Sequence, residues 1–173
     1  MIHKWHIENF KSVSKADLEF TPLTIFVGAN SSGKSTVIQS ILLIAQTLQS
    51  SIEDKHLVLN GDIFKFGNIE DIINNNSKDS DLVFKFRIAP IELQSFLKSI
   101  FGSYMFRDSL NRGVKYIDVE AIFFKESLSF EIKNNPQKLV VKEAIFKSVF
   151  ADETSELISF TKSKEESYKR ISS

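Results

Sequence analysis

Residues 28–35 read Gly-Ala-Asn-Ser-Ser-Gly-Lys-Ser, the pattern G-x-x-x-x-G-K-[ST]. Gly28 and Gly33 let the backbone curl tightly with no Cβ in the way. The curl turns several backbone N–H groups toward one centre, a nest of partial positive charge suited to an anion. A helix beginning at about Gly33 aims its N-terminal dipole at the same point. In this pattern Lys34 reaches the β- and γ-phosphates of a nucleoside triphosphate, and the Ser35 hydroxyl binds Mg²⁺. Gly28, Ala29, Asn30, Ser31, Ser32, Gly33, Lys34 and Ser35 are thus candidate phosphate-binding residues. Lys34 is the candidate catalytic group and Ser35 the candidate metal ligand.

The flanking residues test the motif. Leu23-Thr24-Ile25-Phe26-Val27 is a short apolar run that predicts a buried strand. From Lys34 to Ser50, residues Ile38, Ile41, Leu42, Ala45 and Leu48 recur at helical spacing and predict one buried helix face. Strand, loop and helix follow in the order the motif demands. A Gly-Ser-rich connector is the bland alternative.

Composition sets the bounds. The 173 residues suit one domain or a large piece of one, and 42% hydrophobic content supplies a core. The 16 Phe are read as core filling. Lys+Arg and Asp+Glu are 22 each, so no overall basic field points to nucleic acid, though a local patch stays open. The chain has no Cys, which excludes disulfides and Cys-based metal sites. Met1 to Trp5 run straight into a strand-like segment and form no signal peptide. The longest apolar run, Ile41 to Ala45, is too short to span a membrane. These features point to a soluble cytoplasmic protein.

Two strands precede the loop. Ile2, Trp5, Ile7 and Phe10 mark one over residues 2–10, and residues 16–20 alternate cleanly as a second, with Lys11 to Lys15 as the turn. Pro22 then breaks the pattern. After the helix, Leu57-Val58-Leu59 reads as a short strand, Asn60-Gly61-Asp62 as a turn, and Ile69 to Ile73 as a helical turn. Asn74 to Asp81 reads as a polar surface loop, and Leu82 to Ile88 alternates as a strand. Pro90 to Phe106 is ambiguous, with Ile91, Phe96, Leu97, Ile100 and Phe101 able to form one helix face. Asp108 to Gly113 is a loop. Antiparallel strands are expected at about 116–124, 128–133, 138–150 and 156–162, with Asn134-Asn135-Pro136 as a turn. Residues 162–173 form either a final strand or a frayed end.

Ile7-Glu8-Asn9-Phe10-Lys11-Ser12, the hairpin and the loop ending in Lys34-Ser35-Thr36 together resemble the N-terminus of SMC-like ATPases of the ABC superclass. The resemblance is closest to bacterial AAA-family ATPases related to the OLD-family nuclease ATPases. The segment from Asn60 to Ile73 is similar to one that follows the first helix in that group. The likeness is strong over residues 1–73; over 74–173 it rests on strand-rich character alone.

The resemblance implies a P-loop NTPase N-terminal lobe. Its fold would be α/β at the nucleotide site, α+β at the periphery, with an antiparallel β-lobe. ATP and Mg²⁺ would be its cofactors. Asn9, Phe10, Lys11 and Ser12 would lie near the adenine or its sugar and phosphates, Asn30 near the γ-phosphate and Thr36 near the α-phosphate. Phe10 has a plain alternative as core, Lys11 and Ser12 as turn residues, and Asn30 as a residue that tolerates left-handed backbone.

Other parts of such a site are missing from the sequence. No apolar run ends in Asp-Asp or Asp-Glu as a Walker B strand would. Asp118 and Glu120 alternate with apolar residues, the pattern of a solvated strand face. No Leu-Ser-Gly-Gly signature occurs outside the loop itself. His3, His6 and His56 precede the place for a switch His, and isolated His is better read as surface than as ligand. Gln94 and Gln137 match a Q-loop by residue type alone.

Residues 1–173 therefore read as one N-terminal ATPase lobe, incomplete without a C-terminal half supplied by the same protein or by a second copy in a homodimer. In the resembling families such lobes serve DNA processing or anti-phage defence and gate a nuclease or effector partner. Two alternatives stand beside this: a nucleotide-binding assembly module without catalysis, and a small P-loop kinase. The initial hairpin and the consecutive late strands fit the kinase poorly. Lys133, Lys138, Lys142 and Lys147 offer a weak candidate DNA face, diluted by Glu131 and Glu143.

Overall fold

The computed structural model describes residues 1–49, 56–75, 81–89, 114–126, 138–151, 154–162 and 168–172. Its frame is a seven-stranded sheet. The strands are β1 (Ile2–Phe10), β2 (Val13–Glu19), β3 (Leu82–Ile88), β4 (Val114–Glu126), β5 (Lys138–Phe150), β6 (Ser155–Lys162) and β7 (Tyr168–Ser172). They lie in the order β2-β1-β3-β4-β5-β6-β7, and each neighbouring pair is antiparallel. One helix, α1 (Lys34–Gln49), is present among the described residues, and a 3₁₀ turn covers Ile69–Asp71.

Alternation sets the two sheet faces. Trp5 and Ile7 on β1, Phe84 and Phe86 on β3, Ile117 and Val119 on β4, and Phe146 on β5 are all buried. Their rings interlock, with Trp5 stacked on Phe86 at 5.1 Å and Phe84 edge-on to Phe123 at 6.1 Å. The residues between them carry charge and pair across strands: Lys4 with Glu19 at 3.3 Å, Lys85 with Glu120 at 2.8 Å, Arg87 with Asp118 at 2.6 Å. Asp118 and Glu120 thus sit on an ion-paired strand face, as their spacing indicated. Such pairs favour one register more than they stabilise the fold.

Helix α1 packs on the apolar face through a stripe different from the predicted one. Its buried residues are Val37, Ser40, Leu43, Ile44, Gln46 and Thr47. Ile38 is 50% exposed, and Ile41, Leu42, Ala45 and Leu48 lie at the margins of the contact. The polar members are tolerated because each has a partner. The Trp5 indole N–H donates to Ser40 Oγ at 2.9 Å. Gln46 donates to the Val58 carbonyl and accepts from the Phe64 N–H. Thr47 donates to the Leu43 carbonyl at 2.8 Å and accepts from the Val58 N–H at 3.1 Å.

The strand expected at Leu23 to Val27 is not formed. These residues pair with no described strand, and Leu23, Ile25 and Val27 are 77%, 72% and 85% exposed. A strand requires a neighbour to take its N–H and C=O groups; β1 and β3 are each paired on both sides, and the free edge of β2 is not used by this run. Only Phe26 turns inward, edge-on to Phe20 at 6.1 Å. An α/β layer around the loop is therefore not part of the described structure.

Smaller corrections follow. The first turn is tighter than expected, since β2 begins at Val13. Leu57 to Leu59 form no strand, although the Leu57 N–H donates to the Leu139 carbonyl at 2.9 Å. Asn74 is buried, not part of a surface loop, and its N–H donates to the Asn9 carbonyl. Of the two readings of residues 162–173, the final strand is the one formed, at Tyr168–Ser172. The expectations for Pro90 to Phe106, Asp108 to Gly113, residues 128–133, Asn134 to Pro136, Gln94, Gln137 and Lys133 lie outside the described residues.

Candidate functional site

The Gly28–Thr36 segment forms an exposed loop at the head of α1. Gly28 (φ 151°), Ser31 (φ 62°) and Gly33 (φ 89°) supply the left-handed positions that make it curl. The left-handed non-glycine residue is Ser31, not Asn30. A Cβ at Gly28 would stand 3.0 Å from Ser32 Oγ, so glycine there lets the loop close on itself. The Ser32 N–H donates to the Ala29 carbonyl at 3.3 Å, and α1 opens with the Val37 N–H donating to the Gly33 carbonyl at 3.1 Å.

Lys34 lies across the mouth of this loop. Its ammonium donates to the Gly28 carbonyl at 2.8 Å, the Ala29 carbonyl at 2.6 Å and Ser32 Oγ at 3.3 Å. The cation is therefore held by acceptors of the loop itself, two carbonyls and one hydroxyl. The first turn of α1 carries no acidic residue, so nothing on the helix itself cancels its positive end. An ammonium, a helix N-terminus and a run of small residues make a cradle that fits a phosphate chain. Ser35 is exposed at the start of α1, where its hydroxyl is available to a divalent cation. No group of His, Asp or Glu side chains able to hold a metal occurs among the described residues.

The β1–β2 turn reaches the same helix. Ser12 Oγ lies 3.4 Å from Thr36 Oγ1, and the Lys11 ammonium donates to Gln39 Oε1 at 2.8 Å. Phe10 is fully buried and edge-on to Phe66 and Phe84, so it serves the core. Asn9 is left-handed (φ 62°) and buried, and its side-chain amide donates to the Asp81 carbonyl at 2.8 Å. The fold thus brings Lys11, Ser12 and the loop to one helix, while the Asn9 side chain turns toward the start of β3.

Behind the turn stands the segment 60–74. Asn60 brackets Gly67, donating to its carbonyl at 2.9 Å and accepting from its N–H at 3.0 Å. Asp71 accepts from the Asn68 N–H at 2.8 Å. The segment then locks the turn: the Lys11 N–H donates to the Ile72 carbonyl at 2.7 Å, and Phe10 bridges Ile73. The sequence reading assigned no site role to Gln39, nor to Phe66 and Asp71 within the resembling 60–73 segment, because only the tertiary contact of turn and helix marks them.

The remaining candidates lie elsewhere. His6 stands on the charged sheet face, its ring nitrogens 2.5 Å from Asp17 and 2.9 Å from Glu8. Lys142 is paired with Asp81 at 2.6 Å, and Lys147 is exposed. The late-strand lysines described here therefore form no unbroken basic patch. No helix among the described residues is long and apolar enough to cross a membrane.

Comparison with known proteins agrees with the loop. The sequence model of the family described as the AAA ATPase domain matches residues 1–173. No curated protein matches the chain.

Proposed function

This chain belongs to the AAA ATPase domain family, and on that premise we propose that it is the ATP-binding lobe of an SMC/OLD-like ATPase of the ABC superclass. The observation that carries the proposal is the Gly28–Thr36 cradle with the Lys34 ammonium in its mouth, set at the head of α1. ATP binds with its β- and γ-phosphates against Lys34 and the loop N–H groups. Asn30 and Thr36 border the phosphate chain, and Lys11 and Ser12 approach it from the β1–β2 turn. Asn9 belongs to this site through the turn it shapes. Ser35 would hold Mg²⁺, which would supply charge neutralisation to the phosphates.

Phosphoryl transfer is mainly positioning and neutralisation of charge. Lys34 and the curled loop at the head of α1 support both roles toward a phosphate chain, while no acidic Walker B pair or signature loop is legible in the sequence. Hydrolysis on this account needs a second half, from a C-terminal lobe or a second copy. The exposed Leu23, Ile25 and Val27 support that requirement, because they leave an apolar run beside the loop without a sheet neighbour. The same run supports a second reading, in which ATP binding serves assembly and not turnover. A role in DNA processing or anti-phage defence, with a nuclease or effector partner, and a cytoplasmic setting rest on the family resemblance.

Phosphate release by the purified 173-residue chain with Mg²⁺ and ATP, measured beside ATP binding, tests the proposal. Binding without turnover is the expected result. Rapid turnover by the chain alone would show that it holds a complete site and would overturn the need for a second half.

A further inference from the structure

Helix α1 carries the phosphate loop at its head, so the aim of the loop depends on how that helix sits on the sheet. Val37, Leu43 and Ile44 hold it there by apolar contact, which has no direction of its own. Direction comes from hydrogen bonds. Gln46 and Thr47 bond to Val58 and Phe64 near the far end of the helix. Nearer the head, the buried bond from the Trp5 indole N–H to Ser40 Oγ, at 2.9 Å, ties the helix to β1. Trp5 is a firm post for that bond. It is 2% exposed and packs on Phe86 at 5.1 Å and on Phe84 at 6.3 Å.

From Ser40 the bonding continues back to the loop. Ser40 Oγ accepts from Trp5 with a lone pair and gives its one proton to the Val37 carbonyl at 2.6 Å. The Val37 N–H donates in turn to the Gly33 carbonyl at 3.1 Å. The Gly33 C=O and the Lys34 N–H belong to one planar trans peptide, so they point in opposite directions. Fixing the carbonyl along the helix therefore aims the Lys34 N–H out of the helix head, on the side of the loop. A serine that bonds back to a carbonyl one turn earlier also bends a helix slightly. Bonds joined in such a chain polarise one another and act together.

We propose that Trp5 and Ser40 are positioning residues for the phosphate loop: the chain Trp5–Ser40–Val37–Gly33 sets how the head of α1 presents its N–H groups to a triphosphate. The proposal rests on the ATP-binding reading above. It gives two buried residues of the helix–sheet contact an influence on nucleotide affinity. It also makes the single Trp of the chain a reporter of the loop.

The test uses the full chain. One Trp gives one indole ¹H–¹⁵N cross-peak, whose position follows the strength of the bond to Ser40. That peak should move when ATP with Mg²⁺ is added to saturation, and should move less in Ser40→Ala. Calorimetric ATP affinity should fall about threefold to tenfold in Ser40→Ala and in Trp5→Phe, which keeps a ring but has no N–H. The double variant should lose no more than the weaker-binding single one, since the two residues act as one unit. Ile117→Val, a buried truncation on β4, lowers stability without removing any member of the chain. It should bind ATP within about twofold of the parent. An indole peak that ignores saturating ATP, parent-like affinity in both single variants, or an equal loss in Ile117→Val would overturn the proposal and leave the ATP-binding reading standing. No heat of binding from the folded parent would overturn both.

Discussion

Ser40 lies at the centre of the helix–sheet contact, fully buried, and it is the acceptor for the Trp5 indole N–H. Its hydroxyl donates onward to the Val37 carbonyl at 2.6 Å. Ser40→Ala would leave the indole N–H buried without its acceptor, a cost of about 1–3 kcal/mol. Urea unfolding of the variant should show a lowered midpoint at unchanged slope. Gly67 is a second sensitive point. Its backbone is left-handed (φ 86°), and a Cβ there would stand 2.4 Å from Asp71 Oδ2. Gly67→Ala must strain the backbone and displace the carboxylate that caps Asn68, costing roughly 1–3 kcal/mol by thermal or urea unfolding. An unchanged midpoint would mean that the 60–74 segment is not held as described.

At the scale of elements, α1 offers a direct contrast. Leu43 is fully buried and Ile38 is half exposed. Leu43→Ala should cost about 2–5 kcal/mol, whereas Ile38→Ala should fall within about 0.5 kcal/mol of the parent. The reverse ranking would restore the face that hydrophobic spacing alone suggested. That spacing misled because Ser40, Gln46 and Thr47 are buried through hydrogen bonds to Trp5, Val58 and Phe64, partners that lie far away in sequence. The strand expected at 23–27 failed to form for a related reason. Its composition is that of a strand, but a strand exists only where another backbone lies alongside, and pairing is not written in the segment itself. By contrast β3 was legible to its ends, because Phe84 to Ile88 alternates apolar and polar residues and Leu82 and Val83 extend the run with β-forming side chains. The loop was legible too, since each of its residue types has a local geometric reason. The placing of Lys11 against Gln39 was not, because it depends on how turn and helix meet.

The β1–β2 hairpin carries a pH dependence of defined sign. The Glu8 carboxyl is held below the ordinary glutamate range chiefly by its hydrogen bond from Lys15, with His6 acting in the same direction against a cost of burial. Asp17 is lowered mainly by its hydrogen bond with His6. A carboxyl whose folded pKa is depressed adds stability that is present above its unfolded value and is lost as pH falls through the folded value. Melting temperature should therefore hold from neutral pH down to about pH 5 and decline below about pH 4. Glu8→Gln should flatten that decline. An equally steep acid limb in the variant would assign the loss to other carboxylates.

The described residues combine a sheet with an apolar and a charged face and the exposed Gly28–Thr36 segment at the head of α1. The loop is exposed, and the apolar run that leads into it, Leu23 to Val27, lies largely open. Such a run beside a nucleotide site favours association. Replacing Ile25 and Val27 together by Lys should reduce self-association of the chain in sedimentation experiments while leaving the sheet intact by circular dichroism. Undiminished association would place the sticky surface elsewhere. Whether the loop holds nucleotide is settled most directly by titrating ATP with Mg²⁺ into the parent chain and into Lys34→Ala in a calorimeter. Saturable binding by the parent and a loss of about 3 kcal/mol or more in the variant are expected if Lys34 supplies charge-assisted contacts to the phosphates. Equal affinity in the two proteins, or no binding by a folded parent, would contradict it.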